Sequence, residues 1–313
     1  MTQQQSIVTI TVNPSLDQFT SIGQVTPNIK LRCSSPTYQA GGGGINVSRA
    51  IRRLGGSSMA IFPCGGSNGQ ILKSIIKDKA IEHVAISIQG ATRENFTVFE
   101  DQAQQAYRFV LPGPELIESE WKSILNALSD MNPKPAYIVA SGSLPSGVPD
   151  DFYQHVAKIA HAINSRLIID TSGKPLELAL KEGAFLLKPN IRELGELAGE
   201  EIKSEEQEIE IAQSLIQSGG TEVMVVSLGA GGALLVTQDH VEQFRTPTVP
   251  IRSKLGAGDS MVAGIVLSLA NGWNMQQAVM YGNAAGAATV MTEGTQLCTK
   301  DDTDRLYRRL KGK

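Results

Sequence analysis

Two glycine-rich segments, each directly before a helical pattern, contain the residues of this chain that are best suited to chemistry. The later segment is KLGAGDSMVAG at residues 254–264, in which Gly256, Ala257 and Gly258 precede Asp259. Free N–H groups at a helix start stabilise charge that develops on a phosphoryl group, and an adjacent carboxylate can accept a proton from an attacking hydroxyl. The segment therefore suits phosphoryl transfer. An aspartate there could equally be an ordinary N-cap, and the segment alone leaves that alternative open.

The earlier segment, GGGGINVSRAIRRLGG at residues 41–56, begins with four successive glycines. Glycine allows the backbone to approach a ligand closely, and four in a row carry an entropic cost that a turn alone does not require. The pattern predicts a cradle for an anion or a polar ligand at a helix start, with Asn46 in reach of a hydroxyl above the loop. A tight strand-to-helix turn without a ligand is the alternative.

Two further segments are compatible with phosphate binding. LKPNIRE at 187–193 contains Lys188, Asn190 and Glu193. A carboxylate such as Glu193 can hold Mg²⁺ through water near the phosphates of a nucleotide, although Asn190 and Glu193 also have the spacing of a capping pair. The other segment is VVSLGAGGALLV, whose polar and glycine positions are Ser227, Gly229, Gly231 and Gly232. A turn between two strands explains these glycines nearly as well as a phosphate site does.

Other nucleotide-binding patterns are missing from the sequence. There is no GxxxxGK[ST] segment, which excludes a P-loop enzyme. The first strand-to-helix connection also lacks GxGxxG, which disfavours a dinucleotide-dependent dehydrogenase.

The composition is that of an ordinary globular protein. The chain has 313 residues, with 28 Lys and Arg against 31 Asp and Glu, for a formal net charge of −3. It has no basic block and no run of about 18 apolar residues, so we expect neither a nucleic-acid nor a membrane partner. The first residues lack the pattern of a secretory signal, and the three cysteines form no CxxC or Cys/His cluster. A cytoplasmic protein with reduced thiols is the expectation.

Apolar segments and helical patterns alternate along the chain. Strands are predicted at 6–13, 57–64, 136–141, 166–170, 184–188, 222–228 and 233–237. Helices are predicted from the glycine segments, at 68–79, 150–163, 192–198 and 205–217, and in MQQAVMYGNAAGAATVM, a stretch from residue 275 whose small residues permit close helix contact. This alternation predicts a doubly wound α/β fold with a mostly parallel sheet and helices on both faces.

Two stretches interrupt the alternation, residues 15–39 and 91–110. Both alternate polar with apolar residues, as antiparallel strands with one open face do. We expect a single domain over 1–313 with these two stretches forming a small β-sheet lid, which is also a candidate dimer surface.

Taken together, these motifs resemble the ribokinase-like carbohydrate kinases. The resemblance runs from about residue 6 to about residue 310 and rests on the order and separation of the two glycine segments, Asn190–Glu193 and SLGAGGALLV. The chain is most similar to the minor-isozyme 6-phosphofructokinase branch, in segments such as TVNPSLDQ, SGSLPSGV and EGTQLCTKDDT. The related 1-phosphofructokinases and tagatose-6-phosphate kinases usually carry a lysine within the glycine run, where this chain has Gly43.

The resemblance implies a role for each matching residue. Asp259 would be the catalytic base, and Gly256, Ala257 and Gly258 would form the anion hole. The residues implied in binding the sugar are Asp17, Gly41, Gly42, Asn46, Ser141 and Ser143. Arg93 would bind the phosphate that the sugar already carries, and Lys30 would reach that phosphate from a partner subunit. ATP contacts are implied for Lys188, Asn190, Ser227, Gly229, Gly231 and Gly232, and Glu193 would organise Mg²⁺.

Members of this family often bind a monovalent cation through backbone oxygens near the anion hole. The matching residues here are Ser253, Leu255, Thr289, Thr292, Gly294 and Gln296, which implies a K⁺ site. Two of them depart from the branch, because Gln296 stands where arginine is usual and Thr292 where asparagine is usual.

The implied activity is the ATP-dependent phosphorylation of the C1 hydroxyl of fructose 6-phosphate, a step of glycolysis, by a homodimer joined through its lid sheets. Tagatose 6-phosphate and fructose 1-phosphate remain alternative substrates, because epimers that differ at one hydroxyl differ by only a hydrogen bond or two. A non-catalytic sensor of sugar phosphate or nucleotide is the alternative from a different class. A sensor, however, has no use for a base at Asp259.

Overall fold

Short apolar segments form most strands of the larger of two sheets, because β-branched and apolar side chains favour extended backbone covered by other layers. The computed structural model describes residues 3–312, and within this range it contains thirteen strands. In chain order they are β1 (Ile7–Ile10), β2 (Ser15–Ile22), β3 (Thr37–Gly41), β4 (Met59–Cys64), β5 (Glu82–Ser87), β6 (Arg93–Glu100), β7 (Gln105–Phe109), β8 (Tyr137–Ser141), β9 (Arg166–Asp170), β10 (Ala184–Leu187), β11 (Thr221–Ser227), β12 (Ala233–Thr237) and β13 (Val241–Phe244).

The larger sheet has nine strands in the order β13-β12-β11-β10-β9-β8-β1-β4-β5. All neighbours from β5 to β11 are parallel. The antiparallel strands β12 and β13 complete one edge. The prediction of a doubly wound, mostly parallel sheet is confirmed.

Ten helices lie within residues 3–312 and cover both faces of this sheet. They are α1 (Gly43–Arg53), α2 (Gly66–Asp78), α3 (Glu118–Ser129), α4 (Phe152–Ala162), α5 (Gly173–Ala179), α6 (Ile191–Ala198), α7 (Glu205–Gln217), α8 (Ala257–Ala270), α9 (Met275–Val290) and α10 (Lys300–Leu310). Successive strand residues point to opposite faces. Ile7 and Val139 therefore pack with α1, α8 and α9, whereas Val8 and Ile138 pack with α3 and α4.

Helix α8, which carries Asp259, is fixed by close contact with α9. A Cβ atom at Gly264 would lie only 2.8 Å from the Gly282 Cα atom, so two glycines allow the helix backbones to touch. The expectation of close helix contact at the small residues is confirmed, and the contact sets the position of the start of α8. None of the helices in residues 3–312 is both long and apolar enough to cross a membrane.

The smaller sheet has the strand order β3-β2-β6-β7 and is called the lid sheet below. Strands β2 and β6 are parallel, and the two outer pairs are antiparallel. Its strands lie in or next to the stretches 15–39 and 91–110, so the predicted small sheet is present. That it closes as a lid, and that residues 1–313 form one domain, stay predictions; residues 1, 2 and 313 lie outside the described residues.

Five elements of the structure were not predicted from the pattern: α3, α5, α10, β5 and β13. Strand β5 is an edge strand whose residues are at most partly buried, so its sequence lacks the apolar pattern of a covered strand. Helix α10 is mostly charged and buries only Thr303, Leu306 and Tyr307. Strand β5 is therefore held mainly by its pairing with β4, whereas α10 does have local helix signals, namely the N-cap Thr299 and acidic residues in its first turn.

Candidate active site

The carboxyl ends of the central parallel strands present polar side chains at one edge of the large sheet. Strand β8 ends at Ser141, β9 ends at Asp170, and Lys188 follows β10 directly. Parallel α/β sheets bind ligands at this edge. Helices α1 and α8 begin with the two glycine segments of the sequence, and a hydrogen bond joins Asn46 of α1 to Asp259 of α8.

Asp259 lies in the first turn of α8 and does not cap the helix. The N-cap is Gly256, with a φ of 75°, a left-handed conformation that favours glycine. The carboxylate instead accepts a hydrogen bond from the Asn46 amide, with Nδ2 3.0 Å from Oδ2. The N-cap alternative for Asp259 is therefore wrong, and its carboxylate remains available for chemistry.

The surroundings of Asp259 make its carboxylate a better base. Its pKa is raised from 3.8 to about 6, mainly by burial and also by the negative charge of Asp170, while the Asn46 hydrogen bond and the positive charges of Lys188 and Arg108 act in the opposite direction. A pKa slightly below neutral leaves the group ionised at pH 7 but able to accept a proton.

Lys188 is buried next to the start of α8. A Cβ atom at Gly258 would lie 3.6 Å from its ammonium nitrogen, and the ammonium forms an ion pair with Asp170 at 3.1 Å. Burial opposes the charged form, but the carboxylates of Asp170, Glu193 and Asp259 outweigh it and raise the pKa of Lys188. The lysine is therefore a fixed positive charge beside the free N–H groups of the helix.

Asp17 faces the first glycine segment from the lid sheet. Its Oδ1 accepts hydrogen bonds from Ser15 Oγ at 2.6 Å and from Asn95 Nδ2 at 2.9 Å. A Cβ atom at Gly41 would lie 2.3 Å from Asp17 Oδ2, so only glycine lets this carboxylate approach the loop. A polar ligand over Gly41 and Gly42 would meet the free side of the Asp17 carboxylate.

Arg93 lies at the start of β6, beside the same loop. Its guanidinium donates to the backbone carbonyls of Asn13 at 2.9 Å and Leu111 at 3.1 Å. The buried Nε of Arg93 and the buried Oδ1 of Asn13 have no hydrogen-bond partner within residues 3–312. Burial lowers the pKa of Arg93, and Arg108 lowers it further while Asp17 raises it. Orphaned buried polar atoms of this kind indicate a place for a polar ligand.

Ser141 ends β8 and Ser143 follows this strand, next to the glycine segment at 41–56. A Cβ atom at Gly43 would collide with Ser141 Oγ at 2.1 Å, so this position requires glycine in the present arrangement. Ser143 is exposed, and its Oγ accepts a hydrogen bond from Asn13 Nδ2 at 3.3 Å. The two serines thus border the region between Gly43 and Asn13.

Asn190 and Glu193 form a capping box at the start of α6. Each side chain accepts a hydrogen bond from the other residue's backbone N–H, at 2.9 Å in both cases. The alternative that these two residues cap α6 is therefore confirmed, but the cap uses only one oxygen of Glu193, namely Oε2. Glu193 also lines a cavity of about 370 Å³ together with Asp170 and Ser143, so its carboxylate faces the same edge of the sheet.

The glycine turn after β11, at residues 227–232, lies next to Asn190. The Ser227 N–H donates to the Pro189 carbonyl at 2.8 Å, and Ser227 pairs with Asn190 as an isolated parallel bridge. A short 3₁₀ turn, Gly229–Gly231, follows, and Gly232 leads into β12. The structure therefore brings these residues to the Lys188 side of the site.

The residues of the expected cation site come from two loops that meet near the start of α8. Ser253 Oγ donates to the Gly294 carbonyl at 2.7 Å, and Thr292 Oγ1 donates to the carbonyls of Gln296 at 2.6 Å and Thr289 at 2.8 Å. The Leu255 N–H donates to Ser253 Oγ at 3.2 Å. The sequence-derived set is thus one contiguous cluster of backbone oxygens and hydroxyl groups.

Lys30 is the one predicted site residue that the structure leaves apart. It is exposed in the loop between β2 and β3, and no hydrogen bond or ion pair of its side chain occurs within residues 3–312. Conversely, three residues of the site were not predicted from the sequence: Asp170, Asn95 and Arg49. Asp170 had a usable signal, because it is a charged residue that ends the apolar segment RLIID.

Comparison with known proteins gives whole-length matches. The profile of a family described as pfkB family carbohydrate kinase matches residues 7–302. A Mycobacterium tuberculosis H37Rv protein named ATP-dependent 6-phosphofructokinase isozyme 2 is 46% identical over 301 residues, which cover 96% of this chain and 88% of the relative. The Escherichia coli K12 protein of the same name is 40% identical over 302 residues, which cover 96% and 97% of the two chains.

Solved structures match the fold over nearly its whole length. Phosphofructokinase-2 from Escherichia coli in complex with potassium has a TM-score of 0.94 at 39% identity and covers 98% of this chain and 99% of that chain. The tetrameric inhibited form of the same protein has a TM-score of 0.93. Arabidopsis thaliana ribokinase has a TM-score of 0.77 at 17% identity, covers 98% and 99% of the chains and matches in fold alone. The expected ribokinase-like fold is confirmed.

Proposed function

The chain belongs to the pfkB family of carbohydrate kinases, and from this premise we propose that it is an ATP-dependent 6-phosphofructokinase. The reaction transfers the γ-phosphoryl group of ATP to the C1 hydroxyl of fructose 6-phosphate and gives fructose 1,6-bisphosphate and ADP, a step of glycolysis. The two relatives that carry this name each align with 96% of the chain, which supports the proposal over its whole length.

The observation that carries the proposal is the position of Asp259 between two kinds of side chain. On the first side, Asn46 of the glycine loop donates a hydrogen bond to its carboxylate. On the other side, the ammonium of Lys188 lies beside Gly258 at the start of the same helix. A base placed between a polar cradle and a fixed positive charge is suited to moving a phosphoryl group onto a hydroxyl.

The chemical step follows from these positions. Asp259, ionised at neutral pH, accepts the proton of the C1 hydroxyl as that oxygen attacks the γ-phosphorus. The N–H groups of Gly256, Ala257 and Gly258 and the positive end of α8 stabilise the charge on the transferred group. Lys188 adds a cation at the same place. Little covalent chemistry by the protein is needed, because positioning and electrostatics supply most of the acceleration in phosphoryl transfer.

The sugar phosphate would bind on the lid side of the loop. Asp17 and Asn46, with the backbone of Gly41 and Gly42, would hydrogen-bond its hydroxyl groups. The Arg93 guanidinium, whose Nε has no partner within the described residues, would bind the 6-phosphate. Ser141 and Ser143 would border this substrate, and Lys30 would reach the phosphate from the partner subunit's lid sheet.

ATP would bind along the other half of the same sheet edge. Ser227, Gly229, Gly231, Gly232 and Asn190 would contact the nucleotide, and Lys188 would contact its terminal phosphates. Mg²⁺ suits the acidic edge of this region, because Glu193 has one oxygen outside the capping box and shares a cavity with Asp170. Bound there, the metal would neutralise phosphate charge, and Glu193 would hold it through water.

A monovalent cation suits the loop cluster of Ser253, Leu255, Thr289, Thr292, Gly294 and Gln296. Three backbone carbonyls of this cluster accept hydrogen bonds from hydroxyl groups. The buried hydroxyl of the neighbouring Thr295 has no hydrogen-bond partner within residues 3–312. Oxygen donors of this kind fit K⁺, and the Escherichia coli relative has been crystallised with potassium. The protein's own residues would supply backbone oxygens next to the anion hole.

Self-association through the lid sheet completes the proposal. One face of this sheet carries exposed aromatic side chains, among them Tyr38, Tyr107 and Phe109, which are 46%, 39% and 47% exposed. Apolar patches of this kind mark association surfaces, and the Escherichia coli relative also forms assemblies. We propose a homodimer.

The free cysteines Cys33, Cys64 and Cys298 support a cytoplasmic location.

The test is an assay of ADP release with Mg-ATP on several acceptors in parallel. They are fructose 6-phosphate, tagatose 6-phosphate, fructose 1-phosphate, free fructose and ribose. We expect the highest kcat/KM for fructose 6-phosphate. A preference for tagatose 6-phosphate or fructose 1-phosphate would keep the mechanism and change the substrate, whereas turnover of none of them would overturn the proposed function in favour of a sensor.

A further inference from the structure

Arg49 lies on α1 one turn after Asn46, and its guanidinium is held by three acceptors. One terminal nitrogen donates to Asn46 Oδ1 at 2.9 Å and to the Ala40 carbonyl at 2.8 Å. The other donates to Gln39 Oε1. Ala40 and Gln39 belong to β3, so one side chain joins the lid sheet to the helix that carries Asn46.

These contacts decide which way round the Asn46 amide lies. An asparagine amide has one accepting oxygen and one donating nitrogen, whereas a guanidinium can only donate. With Arg49 on one side, the oxygen must face Arg49, and the nitrogen must then face the Asp259 carboxylate, as the 3.0 Å contact shows. The reversed amide would set its oxygen against a carboxylate and its NH₂ against a cation.

Arg49 carries a positive charge at neutral pH although its side chain is partly buried. Its pKa is lowered to about 10, mainly by burial and also by the positive charge of Arg53, while the negative charges of Asp17 and Asp259 act in the opposite direction. Arg49 therefore stays protonated at neutral pH, with the two functional carboxylates of the site within electrostatic reach. A neutral side chain at this position would not hold the amide in a single orientation.

We propose that Arg49 is a positioning residue for the phosphoryl transfer. It fixes the orientation of the Asn46 amide, which in turn holds and ionises the Asp259 carboxylate, and it ties this pair to β3, where Gln39 is in register with Asp17. Arg49 acts through Asn46 and does not contact the reacting atoms. The inference rests on the proposed role of Asp259 as the base.

The first test is a double-mutant cycle of Arg49→Met and Asn46→Ala, measured as kcat with fructose 6-phosphate. Misplacement of a catalytic group by about 1 Å costs up to about 100-fold, so we expect Arg49→Met alone to lower kcat by ~10- to 100-fold. In the Asn46→Ala background the same substitution should cost less than about 3-fold, because the residue through which Arg49 acts is gone. Equal losses in both backgrounds would overturn the proposal.

The matched control is Arg52→Met, which removes an exposed guanidinium from the same helix. It should keep kcat, KM and melting temperature near the values of the unmodified protein. A loss in Arg52→Met equal to that in Arg49→Met would show that the charge of the helix matters and not the orientation of Asn46, which would also overturn the proposal.

The pH profile supplies a readout that loss of stability alone would not change. The Asn46 hydrogen bond lowers the pKa of Asp259, and the Arg49 charge also favours the carboxylate, so both losses should move the acidic limb of kcat/KM to higher pH in Arg49→Met. Asp170, which raises the pKa of Asp259, and Lys188 and Arg108, which lower it, are unchanged in this variant. Arg49→Lys keeps the charge but cannot bind all three acceptors in the same way, and it should recover part of kcat and of the pH profile. Arg49→Lys also replaces the Met variant in the cycle if that variant does not fold. An unchanged acidic limb in a folded Met variant would contradict the inference.

The outcomes separate this inference from the proposed function. If the unmodified protein phosphorylates no sugar phosphate, or if Asp259→Asn keeps full turnover, the proposed function fails. If the protein is active, Asp259→Asn is inactive and the cycle is additive, only the role of Arg49 fails.

Discussion

The ammonium of Lys188 lies 3.1 Å from Asp170 Oδ1, and the lysine side chain is only 5% exposed. Asp170 ends strand β9, and Lys188 follows the neighbouring strand β10, so parallel pairing of the two strands places the charges side by side. The same carboxylate raises the pKa of Asp259. Asp170 therefore balances a buried cation and makes the proposed base stronger.

Asp170→Asn should destabilise the protein, because it leaves Lys188 buried without its nearest countercharge. Removal of one member of a buried ion pair costs about 3 to 5 kcal/mol, and we expect about 3 kcal/mol in urea unfolding. Glu177→Gln is the control, since it breaks an exposed pair with Lys174 that is worth less than about 1 kcal/mol. Asp170→Asn should also move the acidic limb of kcat/KM to lower pH, because removal of the Asp170 charge lowers the pKa of Asp259. Equal stability of the two variants would refute the balancing role.

Asp259→Asn should lower kcat by at least ~10²-fold, the lower range for loss of a general base. Binding of the sugar phosphate should change little, because the amide keeps the size of the carboxylate. ADP release on fructose 6-phosphate measures the effect, and Asp239→Asn at an exposed loop position is the control. Near-full turnover of Asp259→Asn would rule out the assignment of the base.

The same substitution should stabilise the fold at pH 8. The pKa of Asp259 is raised from 3.8 to about 6, so the folded state binds the proton more tightly than the unfolded chain does. The associated stability is present below pH 3.8 and is lost as the pH rises through about 6. Asp259→Asn removes this loss and should melt at a higher temperature than the unmodified protein at pH 8, with a smaller difference at pH 5. A difference that grows at pH 5 would contradict the sign.

Arg93→Ala should mainly raise KM for the sugar phosphate, because it removes a ground-state contact with the phosphate. KM for ATP should stay within about 2-fold, since Arg93 lies on the lid side of the site. The measurement is a pair of KM values, each with the other substrate saturating. An effect confined to KM for ATP would show that Arg93 does not bind the sugar phosphate.

Phe109→Asp should weaken self-association. Phe109 stacks on Phe96 with ring centroids 4.5 Å apart and is 47% exposed, so a charge there would disturb the exposed apolar face of the lid sheet. Sedimentation should show a smaller mass for this variant at micromolar concentration. Ile251→Asp, at an isolated apolar residue that is 64% exposed, should sediment like the unmodified protein. Identical masses for both variants would place the interface elsewhere.

Local patterns were sufficient for most of the secondary structure. The predicted strand at 166–170 matches β9 in full, and the predicted helix at 205–217 matches α7 in full. An element without the apolar pattern of a covered strand was missed, as the edge strand β5 illustrates. A helix or a covered strand depends on side chains a few positions apart, which a sequence displays directly.

The site was only partly contained in the sequence. Each glycine segment indicated a ligand loop, but nothing local joins Asn46 to Asp259, which lie 213 positions apart. Nor does the sequence pair Lys188 with Asp170, which lie on neighbouring strands. These contacts depend on strand order and on the packing of α8 against α1 and α9. Residue types and spacing thus determined which groups could do chemistry, while the tertiary structure decided which groups meet, because long-range proximity follows from the packing of whole elements.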